Sequence, residues 1–276
     1  MEYKRVLTIQ DISCVGQCSM TVALPIVSAC GIETAVLPSA VLSTHTAGFS
    51  GFTVRDLAGD MPGIREHWVK EGLKFDAVYT GYLGSAEQVD YVLDIAKDCA
   101  KAEFSLIVDP AMADHGKLYP AFDMAYVEAM KKLCAKADYL LPNITEACFL
   151  CGIEYKTEYD EDYVMAIVKA LSDMGVKNVI LTGVSYAPEK TGIAVYRNGS
   201  LEYYEHEFLP NSCHGTGDIY ASAFVGALTR GKTAFEAARI AADYAVECIR
   251  YTGTLENHWY GAAFEPVLGK LIEALN

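Results

Sequence analysis

Six short apolar runs recur along the chain, and between them lie longer stretches in which apolar residues return every three or four positions. The runs are RVLTIQ (5–10), TAVLPSAVL (34–42), FDAVYTGYL (75–83), SLIVDPAM (105–112), DYLLPN (138–143) and NVILTGV (178–184). Short continuous apolar runs bounded by turn residues read as strands buried on both faces, as in a parallel sheet. SAEQVDYVLDIAKDCAKA (85–102), MAYVEAMKKLCAKA (124–137) and EDYVMAIVKALSDMG (161–175) carry the helical period. Strands alternating with helices predict an α/β fold with a mainly parallel sheet. TGIAVYRNGSLEYYEHEF (191–208) alternates apolar and polar around Asn198-Gly199, which predicts a hairpin at the sheet edge. No linker, repeat or low-complexity block interrupts residues 1–276, so one domain is expected.

In sheets of this kind ligands sit beyond the carboxyl ends of the strands. The residues to watch are therefore Gln10 and Asp11, Thr44 to Thr46, Thr80 to Tyr82, Asp109 to Asp114, Asn143 to Glu146, and Thr182 with Gly183.

Composition narrows the function classes. Hydrophobic residues make up 52% of the 276 and charged residues 21%, which is globular, and no apolar run is long enough to cross a bilayer. A net charge of −14 opposes binding to nucleic acid or to an anionic membrane. MEYKRVLTIQ lacks the long apolar segment of a secretory signal, so a cytoplasmic protein is expected. The nine cysteines are scattered in apolar surroundings and read as packing residues. Cys148 and Cys151 form a C-x-x-C without a second pair or a histidine cluster, which argues for helix packing over metal.

GALTRGKT (226–233) satisfies the P-loop pattern, yet it follows DIYASAFV, which has helical periodicity rather than that of a strand. It reads as a helix stop at Gly231 and a new start capped by Thr233, with Glu236 closing a capping box.

NSCHGTGDIYASAFVGAL (211–228) sets glycines, a threonine and one acid before a long apolar helix. Gly215, Thr216 and Gly217 can bring backbone N–H groups close to an anion, helped by the dipole of that helix. Asp218 in the first turn can then accept a proton from an attacking hydroxyl, or it can simply cap the helix; these residues alone leave both open.

GTGD near the end of such a chain resembles the signature of the ribokinase-like small-molecule kinases. TGYLGSAEQ (80–88), LSTHTAGF (42–49), DPAMADHGKLY (109–119) and PNITEA (142–147) are similar to segments of the pyridoxal (vitamin B6) kinases, in the same order along nearly the whole chain. The resemblance implies a three-layer sandwich and ATP-dependent phosphorylation of a B6 vitamer at its 5′-hydroxymethyl group. By it Asp218 is the catalytic base and Gly215 to Gly217 the anion hole. Asn143 and Glu146 act through Mg²⁺ and its waters, with Asp109 nearby. Thr182 and Gly183 meet the nucleotide phosphates, and Thr46 and Tyr82 line the vitamer pocket with Gln10. ADHGKLY is a flap that folds Asp114 and Tyr119 onto the site. His214 reaches phosphate or packs, and Cys213 is pocket wall. A homodimer and a K⁺ requirement are further implications. Rival readings are a hydroxymethylpyrimidine kinase and a non-catalytic vitamer-binding protein.

One departure from the family pattern stands out. The B6 kinases read Q-S-H at the end of the first strand, where this chain has Gln10-Asp11-Ile12. An ionised carboxylate only accepts hydrogen bonds, so Asp11 in place of a serine is expected to tilt preference toward pyridoxamine over pyridoxal.

Overall fold

The computed structural model describes residues 3–210 and 213–276. Asn211 and Ser212, which open the glycine-rich stretch, lie outside them. The first half contains β1 (Arg5–Ser13), α1 (Met20–Ala29), β2 (Glu33–Leu42), β3 (Val54–Asp56), α2 (Met61–Lys70), β4 (Phe75–Thr80), α3 (Ala86–Cys99) and β5 (Ala100–Val108). A two-stranded hairpin follows, β6 (Ala113–Asp114) and β7 (Lys117–Leu118), then α4 (Met124–Cys134), β8 (Tyr139–Leu140), α5 (Ile144–Cys151) and α6 (Glu161–Asp173). The chain continues with β9 (Asn178–Val184), β10 (Lys190–Arg197), β11 (Ser200–Glu207), α7 (Thr216–Thr229), α8 (Ala234–Thr252) and α9 (Leu268–Leu275).

Nine strands form one sheet in the order β11-β10-β9-β8-β5-β4-β1-β2-β3. From β2 to β9 neighbours run parallel, while β3, β10 and β11 add antiparallel edges. Successive side chains of a strand point to opposite faces. Leu7, Ile9, Val78, Leu106 and Val108 accordingly join one apolar core with α3 to α6. Val6, Ala77, Tyr79, Ile107 and Ile180 join another with α1, α7 and α8. The expected mainly parallel sheet between helices is present, with Asn198 and Gly199 both at positive φ in the turn of the edge hairpin. No helix among the described residues is long and apolar enough to cross a membrane.

Several boundaries differ from the sequence expectations. The helical stretch expected to run to residue 102 stops at Cys99, and Ala100 to Ala102 enter β5, where Ala100 pairs with Phe75. α1 was not anticipated, because its β-branched residues and Pro25 mimic a strand. Gln10 and Asp11 lie inside β1 rather than beyond it, since pairing with β2 resumes after a bulge and continues to Ser13. Thr182 and Gly183 likewise belong to β9.

The P-loop look-alike is indeed helix. Gly226 sits within α7, and a side-chain carbon there would overlap Cys30, so the glycine serves the close approach of α1 to α7. Gly231 then ends the helix at φ 94°, and Thr233 caps α8 in a capping box with Glu236. Cys148 is buried and its thiol lies 3.1 Å from the Tyr163 hydroxyl, in keeping with packing.

Candidate active site

Chain order reverses between β1 and β4: from β1 the chain moves outward to β2, and β4 returns on its other side. Such a switch point opens a crevice at the carboxyl ends of the two strands. Gln10 and Asp11 enter it from β1, and Tyr82 from the end of β4. Gln10 is fully buried, its amide nitrogen 2.7 Å from the Thr8 hydroxyl. Asp11 is 4% exposed at the β1 bulge and accepts the Ser13 hydroxyl at 2.9 Å. Burial raises its carboxyl from the ordinary value, while the hydroxyls of Ser19 and Ser13 pull it back. The Tyr82 ring packs 5.3 Å from that of Phe122, and burial, then the charge of Asp11, lifts its phenol.

The opposite wall is the start of α7. Gly215 is its N-cap at φ 78°, a left-handed conformation that favours glycine. Thr216 and Gly217 follow in the first turn with their backbone N–H groups unclaimed by the helix, a ready anion site. Asp218 is half-buried in the same turn. Its carboxyl is pushed up to about 7 by burial, opposed by a hydrogen bond from the Ser19 backbone and assisted by the nearby charge of Asp11. A carboxyl near neutrality makes an effective proton acceptor at physiological pH, whereas a plain helix cap gains from staying fully ionised.

A second pair of acids lies along the crevice. Asp109 follows β5 and its carboxyl is raised well above the ordinary range by burial, then by Glu146 and Asp218. Glu146 is driven up to about 7 by burial, against N–H bonds from Asn143, Met112 and Ala113. Asn143 caps α5 in a reciprocal capping box: its side chain accepts from the Glu146 N–H at 2.9 Å, and Glu146 accepts from the Asn143 N–H at 2.9 Å. The Asn143 amide also donates to the Ala113 carbonyl at 2.9 Å. The two residues are thus locked to one another and to the backbone leading into β6.

β6 and β7 form a short antiparallel hairpin in the segment expected to be a flap. His115 and Gly116 turn it at positive φ, and the Gly116 N–H donates to the Thr145 hydroxyl at 3.0 Å. Tyr119 is exposed, yet burial of its phenol and then the charges of Glu146, Asp114, Asp109 and Asp218 push it well up. Asp114 does not fold inward. It is exposed in the turn, accepting the His115 N–H at 2.7 Å. Thr182 bridges to Asn143 and donates its N–H to the Pro142 carbonyl at 2.9 Å. Gly183, at φ 72°, is skipped by the pairing of β9 with β10 and stays exposed.

Near the glycines, Cys213 is half-buried and packs against the α7 core. His214 is exposed, its ring 5.5 Å from that of His45, and its carbonyl accepts the Ala262 N–H at 3.0 Å. Thr46 is exposed beside the buried His45. His45 accepts the Ala47 N–H at Nδ1, 3.1 Å, so Nε2 carries the proton donated to the Tyr260 carbonyl at 2.6 Å. Sequence reasoning missed Ser19 and the 257–261 segment, and it named Thr44 to Thr46 without giving His45 a role. For Ser19 a cue existed, a serine just before an apolar helix-length run.

Four acids in one crevice without a lysine or arginine acting on Asp11, Asp109, Glu146 or Asp218 suit a ligand that brings positive charge. Among the described residues no three His, Cys, Asp or Glu side chains gather closely enough to cage a metal directly. Asp109 and Glu146, oxygen ligands whose carboxyls burial raises, are of a chemistry that suits a hydrated Mg²⁺.

Residues 27–263 match the family described as phosphomethylpyrimidine kinase. A Bacteroides thetaiotaomicron protein that bears the same kinase name and was crystallised with pyridoxal aligns with TM-score 0.92 and 36% identity, over 98% of this chain and 96% of that one. Pyridoxal kinase from Lactobacillus plantarum aligns with TM-score 0.91 and 30% identity, over 99% and 98% of the two chains. The pyridoxal kinase of Dictyostelium discoideum is 29% identical over 240 residues, 80% of this chain and 77% of its own.

Proposed function

The chain belongs to the phosphomethylpyrimidine kinase family, among kinases of ribokinase-like fold, and from that footing we propose that it uses ATP and Mg²⁺ to phosphorylate the 5′-hydroxymethyl group of a B6 vitamer. The observation that carries the reading is Asp218, a recessed carboxyl raised to about 7, one turn from the left-handed Gly215. Asp218 takes the hydroxyl proton as the oxygen attacks. The N–H groups of Gly215 to Gly217 at the start of α7 stabilise the negative charge on the transferring phosphoryl group. Tyr119 on the flap excludes water from that region. When bound, Mg²⁺ would supply charge neutralisation on the phosphates, held by Asp109 and Glu146 through its waters. Asn143, Thr182 and Gly183 line the nucleotide side, with His214 near the phosphates.

The vitamer assignment draws support from the pyridoxal-bound relative and from the Tyr82 and Phe122 rings beside Asp11, which suit a flat heterocycle. The family description itself favours a second reading, phosphorylation of a hydroxymethylpyrimidine. Mg²⁺-dependent ATP consumption against pyridoxal, pyridoxamine, pyridoxine and hydroxymethylpyrimidine, run beside Asp218→Asn, separates them. Turnover only on the pyrimidine overturns the vitamer assignment. Tight vitamer binding without turnover makes the protein a binding module. A homodimer belongs to the same proposal, and elution at monomer mass removes it.

A further inference from the structure

β9 ends in a turn that its own sheet does not hold. Pairing with β10 steps from Thr182 to Val184 and skips Gly183, which stands exposed at φ 72°. A bulge of this kind re-aims the backbone, and such bulges gather beside active sites. Nothing lies within 4 Å of the place where a Gly183 side-chain carbon would stand, so the backbone there is open to approach.

Two tyrosine hydroxyls take over where the ladder lapses. The Tyr159 hydroxyl accepts the Ser185 N–H at 3.0 Å and donates to the Gly183 carbonyl at 3.4 Å, so one oxygen bridges both ends of the turn. The Tyr203 hydroxyl donates to the Val184 carbonyl between them at 3.2 Å. The Ser185 hydroxyl, 2.6 Å from the Lys190 carbonyl and 3.0 Å from that of Ala187, closes the loop to β10.

The tyrosines are themselves seated. Tyr159 directly precedes Asp160, the N-cap of α6, whose side chain accepts the Tyr163 N–H at 3.0 Å. The Tyr159 ring stacks on that of Tyr163 at 5.4 Å and meets Tyr186 edge-on at 6.3 Å, and Tyr186 meets Tyr203 at 5.1 Å. A side-chain carbon on Gly192 would stand 2.8 Å from the Tyr203 ring, so this β10 glycine makes the room in which the ring lies. Regular pairing of Gly183 would hold the sheet edge without any of these tyrosines. The bulge gives that pairing up and sets an open, left-handed glycine at the carboxyl end of β9, where sheets of this kind take their ligands, next to the bridge from Thr182 to Asn143.

Resting on the reading of an ATP-dependent kinase, we propose that Tyr159 is a positioning residue of the nucleotide side: its hydroxyl holds the Gly183 turn in the shape that receives the phosphates of ATP. The peptide from Gly183 to Val184 is trans and planar, so a hydroxyl that fixes the Gly183 carbonyl also fixes the direction of the Val184 N–H. Tyr159 acts through that backbone rather than on the reacting atoms. A turn ordered beforehand spares the nucleotide the cost of ordering it on binding.

The test is Tyr159→Phe, which removes one oxygen and keeps the ring. KM for ATP and the inhibition constant of ADP should rise about fivefold, the loss of about one hydrogen bond, while kcat, KM for the acceptor and the inhibition constant of adenosine hold. Tyr163→Phe is the control from the same cluster, since its hydroxyl donates to the Glu154 carbonyl at 2.7 Å and lies 3.1 Å from the Cys148 thiol, away from the turn. Its KM for ATP should match that of the wild type. An unchanged KM for ATP in Tyr159→Phe overturns the inference, and so does an equal rise in Tyr163→Phe, which would make the effect one of cluster packing. Equal weakening of ADP and adenosine overturns it too, by moving the effect to the nucleoside. A fall in kcat and Tm with both KM values raised would reduce Tyr159 to a fold residue. A wild type that turns over no ATP with pyridoxal, pyridoxamine, pyridoxine or hydroxymethylpyrimidine overturns the parent reading and this one with it, whereas ATP turnover indifferent to Tyr159→Phe sinks this one alone.

Discussion

The carbonyl oxygen of Gln17 fills the space in which a side-chain carbon of Gly215 would stand. The turn that starts α7 is thus moulded on the backbone of the loop after β1, and the glycine there answers both that contact and its φ of 78°.

Gly215→Ala should therefore lose turnover by about 100-fold or more and lower Tm, since a left-handed alanine alone costs about 1–2 kcal/mol and the overlap must also be relieved. Gly217→Ala is the contrast, because nothing lies within 4 Å of its added carbon. Its Tm should match that of the wild type. Steady-state rates and thermal melts of both variants check this.

Asp218→Asn should reduce kcat by about 10²- to 10⁴-fold, the range of a general base, while vitamer affinity changes little. In the wild type, kcat/KM should fall as pH drops through about 7, where the Asp218 carboxyl takes up its proton. A pH–rate profile flat from 6 to 8 would remove Asp218 as the base.

The same carboxyl works against the folded state. Its folded value of about 7 lies above the ordinary 3.8, so the native protein binds more protons between those limits. The stability it contributes is full below the ordinary value and is lost as pH rises through about 7. The Tm advantage of Asp218→Asn over the wild type should then widen from pH 5 to pH 8. Parallel melts across that range give the answer.

Much of the frame could be read from the chain because its signals are local. Asn198-Gly199 dictates its turn whatever surrounds it, and the GALTRGKT segment betrayed its helical setting through the residues before it. Ala100 to Ala102 misled because their propensity is helical, whereas pairing with β4 decides their state. The places of Asp218, Glu146 and Asn143 at helix starts were legible through their motifs. Ser19 showed only as a serine before an apolar run, and His45, though inside the 44–46 stretch, gave no sign of its bond to the Tyr260 carbonyl 215 positions away.

Asp109 and Glu146 are buried acids held above their ordinary range, so a cation shared between them relieves a real cost. Mg²⁺ with a non-hydrolysable ATP analogue should raise wild-type Tm, by about 2.7 kcal/mol of added stability at 100-fold over Kd. In Asp109→Asn that increment should shrink. An equal rise in both proteins would take Asp109 out of the metal site.

Lys232→Ala should leave kcat/KM unchanged, because GALTRGKT is a helix end and restart remote from any strand-to-helix phosphate loop. Thr233→Ala should cost about 1 kcal/mol of stability through the lost cap, again with activity intact. Loss of ATP use in Lys232→Ala would revive the P-loop.

Gly261 bridges to Gln17, and the Ala262 N–H holds the carbonyl of His214, so the turn before α7 is tied on both sides by a segment made nearly fifty residues later. During synthesis the sheet can be complete while that turn still lacks its outer fastening. The seat of the first turn of α7 is thus fixed only by contacts that close after every strand of the sheet has been made.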